Sequence, residues 1–522
     1  MRLGRLAVAT AFVLALGSVA LAGAFNDAAN GDWDAGATWG GANYPGDTAA
    51  GDTATVDSHA VAVNVDLTDV TVFPGYVSGT TPAVASITVS NSGKLDFTTP
   101  FVADAVNPIL PPVTVNSGGE LRFHADPTAS PAFTVNASGK VTGYKYDAPI
   151  TVDLTIGGGT IAAQRWDANY KTVTFAGTIT LTDDTTLVTY SDWTKPQMAI
   201  SALVQDDNPA NDWKLVYSSK KVVTISNPAN SYGGGTEVND GAIYVGGDGA
   251  LGTGDVVING GQVRPRVHQS AGNMPDVTVH PGGVLNMSYD IGTGCTITVA
   301  GGSFGGYTDP GRSWTCSADI DVTADSRFYP GGRTSWYSGT LKGDISGADV
   351  TISLDANTSN PNNQVLILDH ADVSYEGDWI VVDCQLRANQ VGALGTGDVI
   401  LRGDAGLAEL ELDAAGATSE ETALYLLAGG AALLDLDADN TVLACSVGGA
   451  LVADEVVGGT WLPEGDYDST TPDPPGVTLS DYFDFGSSTL TVLHEGLLRP
   501  VPEPAGLGLM GLALLGLRKK RS

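Results

Sequence analysis

Thr88-Val89-Ser90-Asn91-Ser92-Gly93-Lys94-Leu95 is the phrase on which the fold turns, because the chain repeats it. The pattern Thr-Val-x-x-x-Gly-x-Leu/Val returns at Thr114-Val115 with Gly119 and Leu121, and at Thr134-Val135 with Gly139 and Val141. A fourth copy has Thr278-Val279 with Gly283 and Leu285. The first three copies lie 26 and 20 residues apart. Each reads as strand, tight turn, strand: β-branched residues suit the pleat, Asn and Ser suit the turn, and Gly accepts positive φ. A period of this size is one coil of a β-solenoid, in which stacking buries a face that no single coil buries alone.

A longer repeat supports the same reading. The stretch from Tyr232-Gly233-Gly234 through Gly249-Ala250-Leu251-Gly252-Thr253-Gly254-Asp255 to Ile258 returns 143 residues later, without a gap. The second copy runs from Tyr375-Glu376-Gly377 through Gly392-Ala393-Leu394-Gly395-Thr396-Gly397-Asp398 to Leu401. The unit, with its Asn239-Asp240-Gly241 turn, resembles the autotransporter-associated β-strand repeat. That resemblance implies a right-handed parallel β-helix in a secreted passenger region. The second copy departs from the pattern: Trp379 stands where the first has Thr236, and the Asn-Asp-Gly turn is missing around Asp383. The membrane β-barrel that follows an autotransporter passenger is not seen in the sequence.

Composition narrows the function classes. The 522 residues include 67 Gly and only 16% charged residues, unlike an ordinary α/β enzyme. Formal charge is −34, and six of the 25 Lys and Arg lie at the two ends: Arg2, Arg5, Arg518, Lys519, Lys520 and Arg521. The part between is therefore more acidic still, which disfavours nucleic-acid and anionic-membrane partners. An extracellular polysaccharide partner is compatible with it. Cys295, Cys316, Cys384 and Cys445 are too scattered for a disulfide framework or a metal site. Cys295 and Cys316 suit either a bridge between neighbouring coils or free buried thiols, and the sequence leaves both open.

Residues 1–24 read as a secretory signal peptide: Arg2 and Arg5, an apolar core from Leu6 to Leu21, and the small residues Ala22-Gly23-Ala24. A cut after Ala22 fits as well. Residues 25–224 are expected to hold an N-terminal cap, with Trp33 and Trp39, and the first coils. Residues 225–402 carry the two long repeat copies, and 403–498 form a closing β segment. There Glu409, Glu411 and Asp413 alternate with Leu410 and Leu412, and Asp435, Asp437 and Asp439 with Leu434 and Leu436, as on half-exposed strands. Ser419 to Leu427 fits a short helix and a strand equally. Thr460 to Val492 reads as closing hairpins.

The catalytic signals are weak. Asp435-x-Asp437-x-Asp439 opens like an EF-hand, yet Asn440 and Ser446 occupy the positions of the turn Gly and the bidentate Glu. A plain acidic face is the simpler reading, and weak surface Ca²⁺ binding the alternative; no other cofactor is expected. Asp183-Asp184 and Asp206-Asp207 have the residue types of glycosidase carboxylate pairs, but adjacent Asp residues are expected in a chain with 59 acids. The six His are dispersed. Trp166, Trp193 and Trp213 lie near Tyr170, Tyr190 and Tyr217, which suits core packing better than an aromatic sugar platform. No catalytic residue is assigned.

Residues 499–522 decide the destination. Pro502-Glu503-Pro504 cannot be helix interior, Ala505 to Leu517 is uncharged, and Arg518, Lys519, Lys520 and Arg521 end the chain as a basic stop. The apolar run is short of the ~20 residues of a comfortable span. In this order the elements resemble the PEP-CTERM sorting signal of exported Gram-negative surface proteins. The resemblance implies an exosortase-type membrane enzyme as partner, transient membrane insertion, and delivery to the cell surface or extracellular matrix. Taken together, the sequence predicts an all-β solenoid with capping and closing segments and a structural or adhesive role. The rivals are a polysaccharide lyase or hydrolase on a β-helix, and a carbohydrate- or cation-binding module.

Overall fold

The computed structural model describes residues 24–492 apart from internal segments, the longer being 46–51, 64–83, 99–110, 126–131, 165–171, 191–197, 307–312 and 357–363. Most of the expected signal peptide and all of Pro502, Glu503, Pro504, Arg518, Lys519, Lys520 and Arg521 lie outside the described residues. Strands make up 54% of the structure, which forms a β-solenoid of about 13 turns. No α-helix occurs among the described residues. None of their helical segments is long and apolar enough to cross a membrane.

The repeated phrase stacks on itself. Thr88 pairs with Thr114 and Thr114 with Thr134, while Leu95 pairs with Leu121 and Leu121 with Val141, all in parallel. The inward residues Val89, Val115, Val135, Leu95, Leu121 and Val141 are fully buried or nearly so, and the Thr between each pair of inward residues is half-buried. Phe123 fills the middle of this core, stacked on Phe97 at 5.6 Å and edge-on to Phe133 at 5.4 Å.

The role of the phrase's glycine differs from the expectation. Positive φ falls on the turn residues before it, Asn91 (52°), Gly118 (76°) and Ser138 (60°), and not on Gly93, Gly119 or Gly139. A Cβ at Gly93 would stand 2.2 Å from the Val56 carbonyl oxygen of the previous coil, and one at Gly119 2.5 Å from that of Val89. Glycine is needed there because consecutive coils touch backbone to backbone.

At Ile150 the cross-section changes. The strand Ile150–Ile156 continues the row from Phe133–Val135 through its last three residues, while Ile150 pairs forward with Phe175. That pairing begins a row running through Met198–Ile200 and the second half of Leu215–Ile225. A separate seven-stranded parallel sheet runs from Trp314–Cys316 to Phe483–Asp484. It includes Gln385–Ala388, Leu407–Leu412 and Ala431–Leu436. The two long repeat copies adopt matching geometry: Gly252 and Gly395 have φ of 77° and 76°, and Thr253 and Thr396 each donate to the carbonyl of the repeat's Tyr. The second copy turns through Asp383 (φ 54°) in place of the missing Asn-Asp-Gly.

Trp33 and Trp39 pack edge to face at 5.1 Å beneath the first coil, with Trp39 Nε1 donating to the Trp33 carbonyl. At the other end parallel pairing gives way to antiparallel strands, with Thr460–Trp461 on Ala444–Val452 and Gly465–Tyr467 on Leu490–Val492. Such irregular ends block the open sheet edges against further pairing. Of the two readings of Ser419 to Leu427, the strand is adopted: Ala423–Leu427 is buried throughout.

Candidate functional site

Many acids tie one coil of the solenoid to the next, Asp184 and Asp206 among them. Asp153, Asp184, Asp206, Asp276, Asp290 and Asp325 each accept a backbone N–H from the coil 20–30 residues further on, at 2.7–3.1 Å. A turn leaves such N–H groups without a strand partner, and a short acidic side chain one coil away reaches them. The Asp183-Asp184 and Asp206-Asp207 pairs are therefore turn fasteners. Asp183 accepts from the Asp184 amide, and Asp207 from Asn211 and the Trp213 indole. Asp27 is the most committed, accepting from the Asp57, Ser58 and His59 amides and contacting His59 Nδ1 at 2.9 Å. Burial alone would raise its pKa, but these hydrogen bonds outweigh it and hold the carboxyl below its ordinary range.

The Asp435-x-Asp437-x-Asp439 triplet is divided by the fold. Asp439 accepts the Thr489 amide, whereas Asp437 joins Glu411 and Asp413, whose carboxylate oxygens all lie within 4.8 Å of one another. Arg387 clamps the group, with Nε 2.6 Å from Glu411 Oε2, and Gln385 donates to the same oxygen at 2.6 Å. Burial first, and then Asp413, push the Glu411 carboxyl up to about 7, against the pull of Arg387. Burial and the neighbouring Asp437 also raise Asp435. The alternation of acids and leucines is as expected, with Leu410, Leu412, Leu434 and Leu436 fully buried. The four cysteines are free and buried, and burial raises Cys295 to about 11 and Cys316 to about 12.

A different face collects cations and aromatics. Along the row Lys94–Phe97, Glu120–Phe123, Lys140–Gly143, Thr160–Gln164 and Thr185–Tyr190, outward residues stand in register. Glu120 receives Arg122 at 2.8 Å, Lys140 at 3.1 Å and the Thr142 hydroxyl at 2.6 Å. Burial opposes its ionisation, but these partners win and keep it below the ordinary range, so it is poorly suited to act as a general acid. At the strand ends His124 stacks on Tyr144 at 4.5 Å, and Tyr144 donates to Gln164 Oε1 at 2.7 Å. Lys140 Nζ sits 4.3 Å from the ring centre of Tyr190, which is 45% exposed.

The next coil departs from regular pairing. The strand Leu215–Ile225 slips register between Ser218 and Val222, and Ser219 Oγ bonds back to Thr189 Oγ1 at 2.8 Å and to the Thr189 carbonyl at 2.9 Å. Such bulges re-aim side chains. Lys220 and Lys221 project into an open cleft of about 260 Å³, shared with Val222, Gly241, Ala242 and Gln262. Neither lysine makes an ion pair among the described residues.

Sequence reasoning missed this face. It grouped Tyr190 with Tyr217 and Trp213, but Tyr217 is core and Trp213 is fastened to Asp207. Trp166, Tyr170 and Trp193 lie outside the described residues. Extending the phrase three residues past Leu121 and Val141 would have aligned His124 with Tyr144. No family model matches the chain, and no curated protein matches it.

Proposed function

We propose that the chain is an exported rod with a structural or adhesive role at the cell surface or in the extracellular matrix. The observation that carries this reading is the use of acidic side chains to join coil to coil. Carboxylates bound to backbone amides of the next coil serve the architecture, and they stiffen a body of about 13 turns. With stacked strands about 4.8 Å apart, that body is about 60 Å long. A leader at one end and the Pro502-Glu503-Pro504 tail at the other support sorting by an exosortase-type enzyme. Fractionation with intact mass analysis tests it. Surface-recovered chains are expected to lack the signal peptide, Arg518 to Arg521 and most of Ala505 to Leu517. Replacing Pro502, Glu503 and Pro504 by alanine should leave a membrane-held precursor. Full-length chains ending at Ser522 in the matrix, or retention in the cytoplasm, would refute the sorting reading.

A further inference from the structure

We propose that the face around Tyr190, Lys220 and Lys221 binds an acidic polysaccharide, a chain of pyranose rings bearing carboxylates. This deepens the adhesive reading by naming its partner class. Two independent features converge there. The first is Tyr190, which with Val391 is one of two exposed large apolar side chains among the described residues. Its ring is 45% exposed and carries the Lys140 ammonium 4.3 Å from its centre, and the exposed remainder of the ring can stack against a sugar.

The second is the lysine pair. In a chain of formal charge −34, two cations on this face are tied to carboxylates, Arg122 to Glu120 and Asp96, and Lys140 to Glu120. Lys220 and Lys221 are not, and they stand one coil beyond Tyr190 through the Ser219–Thr189 bonds. Asp240, which pairs with Ser218 in the neighbouring coil, already accepts the Gly241 amide. The cleft itself depends on Gly241, where a Cβ would stand 1.8 Å from the Ser219 carbonyl oxygen. Its floor is thus backbone, and Gln262 adds an amide beside the two ammonium groups.

The dimensions agree with a saccharide. A pyranose repeat of about 5 Å matches the ~4.8 Å step between coils, so consecutive rings meet consecutive strands. One ring stacked on Tyr190 places the next ring's carboxylate toward Lys220 and Lys221. The acidity of the remaining body does not forbid this, because a Debye length of about 8 Å at physiological salt screens distant charges. A nucleic acid would need a basic footprint that spans many coils, which this chain lacks among the described residues.

Affinity electrophoresis and calorimetry with the purified secreted protein test the proposal, at physiological salt with EDTA present. The probes are alginate and polygalacturonate, with dextran as the neutral comparison. Binding to a uronate polymer is expected to weaken as salt rises. Tyr190→Ala should weaken it about tenfold, the loss of one stacking contact. The double variant Lys220→Ala/Lys221→Ala should weaken it further and remove most of its salt dependence. Val391→Ala, an exposed site elsewhere, should bind as wild type. No uronate binding, equal binding to dextran, binding only when calcium replaces EDTA, or indifference to both variants would overturn it. Export is not measured here, so failure of this test leaves the sorting reading standing, and failed sorting leaves this site standing.

Discussion

Replacing Asp27 by Ala should open the second coil locally without unfolding the rest. The side chain is 1% exposed, so water does not compete for its carboxylate in the folded state. Ala removes the acceptor for the Asp57 amide at 2.8 Å, the Ser58 amide at 3.1 Å and the His59 amide at 2.6 Å. The Ser58 bond is at the surface and is replaced by water at little cost. The other two are partly buried and charge-assisted, worth about 1.5 kcal/mol each, for a total of about 3 kcal/mol. If these amides exchange through local opening, that is about a hundredfold faster hydrogen exchange. Mass spectrometry of a peptide spanning Asp57 to Ala60 reads the effect. Coils contact only their neighbours, so the amides of Val256–Ile258 should be unaffected. Acid supplies the matching arm. Because the folded carboxyl lies below its ordinary range, its contribution is present above the ordinary Asp pKa and is lost as pH falls through the folded value. Wild type should lose protection on acidification, whereas the variant should not respond there. Unchanged exchange in Asp27→Ala would refute the view that corner acids hold the coils together.

Two further outcomes are expected. Phe123→Ala removes the ring between Phe97 and Phe133 in a fully closed core, and should cost about 3–5 kcal/mol in the early coils, read by urea-dependent exchange there. At the other end the pH response has the opposite sign. The Glu411 carboxyl is raised to about 7, so its contribution is present below the ordinary Glu pKa and is lost as pH rises through 7. Protection of Leu407–Leu412 should fall between about pH 4.5 and 7 in wild type, level off above that, and stay level throughout in Glu411→Gln.

What could be read from sequence depended on whether the physical partner leaves a residue-type signature. The stacking of Thr88, Thr114 and Thr134 was legible because each coil repeats the same side chains against the same neighbours. The glycines were legible as required positions but not for the right reason. Their neighbour is a carbonyl of another coil, and only the register places Val56 over Gly93. The corner acids were invisible for the same reason. The partner of Asp184 is the amide of Lys214, and every residue except proline has an amide, so no spacing rule marks the pair.

The same limit explains why Asp183-Asp184 and Asp206-Asp207 looked like catalytic pairs, and why the more informative lysines did not stand out. Adjacent acids in a sequence suggest cooperation, but in a solenoid adjacent residues at a corner point to different coils. Asp183 caps its own turn, while Asp184 fastens the coil that carries Lys214. Cooperation runs across coils instead, among residues 20–30 apart: Glu120 with Lys140, Thr189 with Ser219, Arg387 with Glu411. Lys220 and Lys221 break that pattern, because the slipped register between Ser218 and Val222 leaves them without a coil partner. In a fold that pairs Lys140 with Glu120 and Arg387 with Glu411 along the axis, an unpaired cation pair beside an exposed ring marks where the surface is free to meet something else.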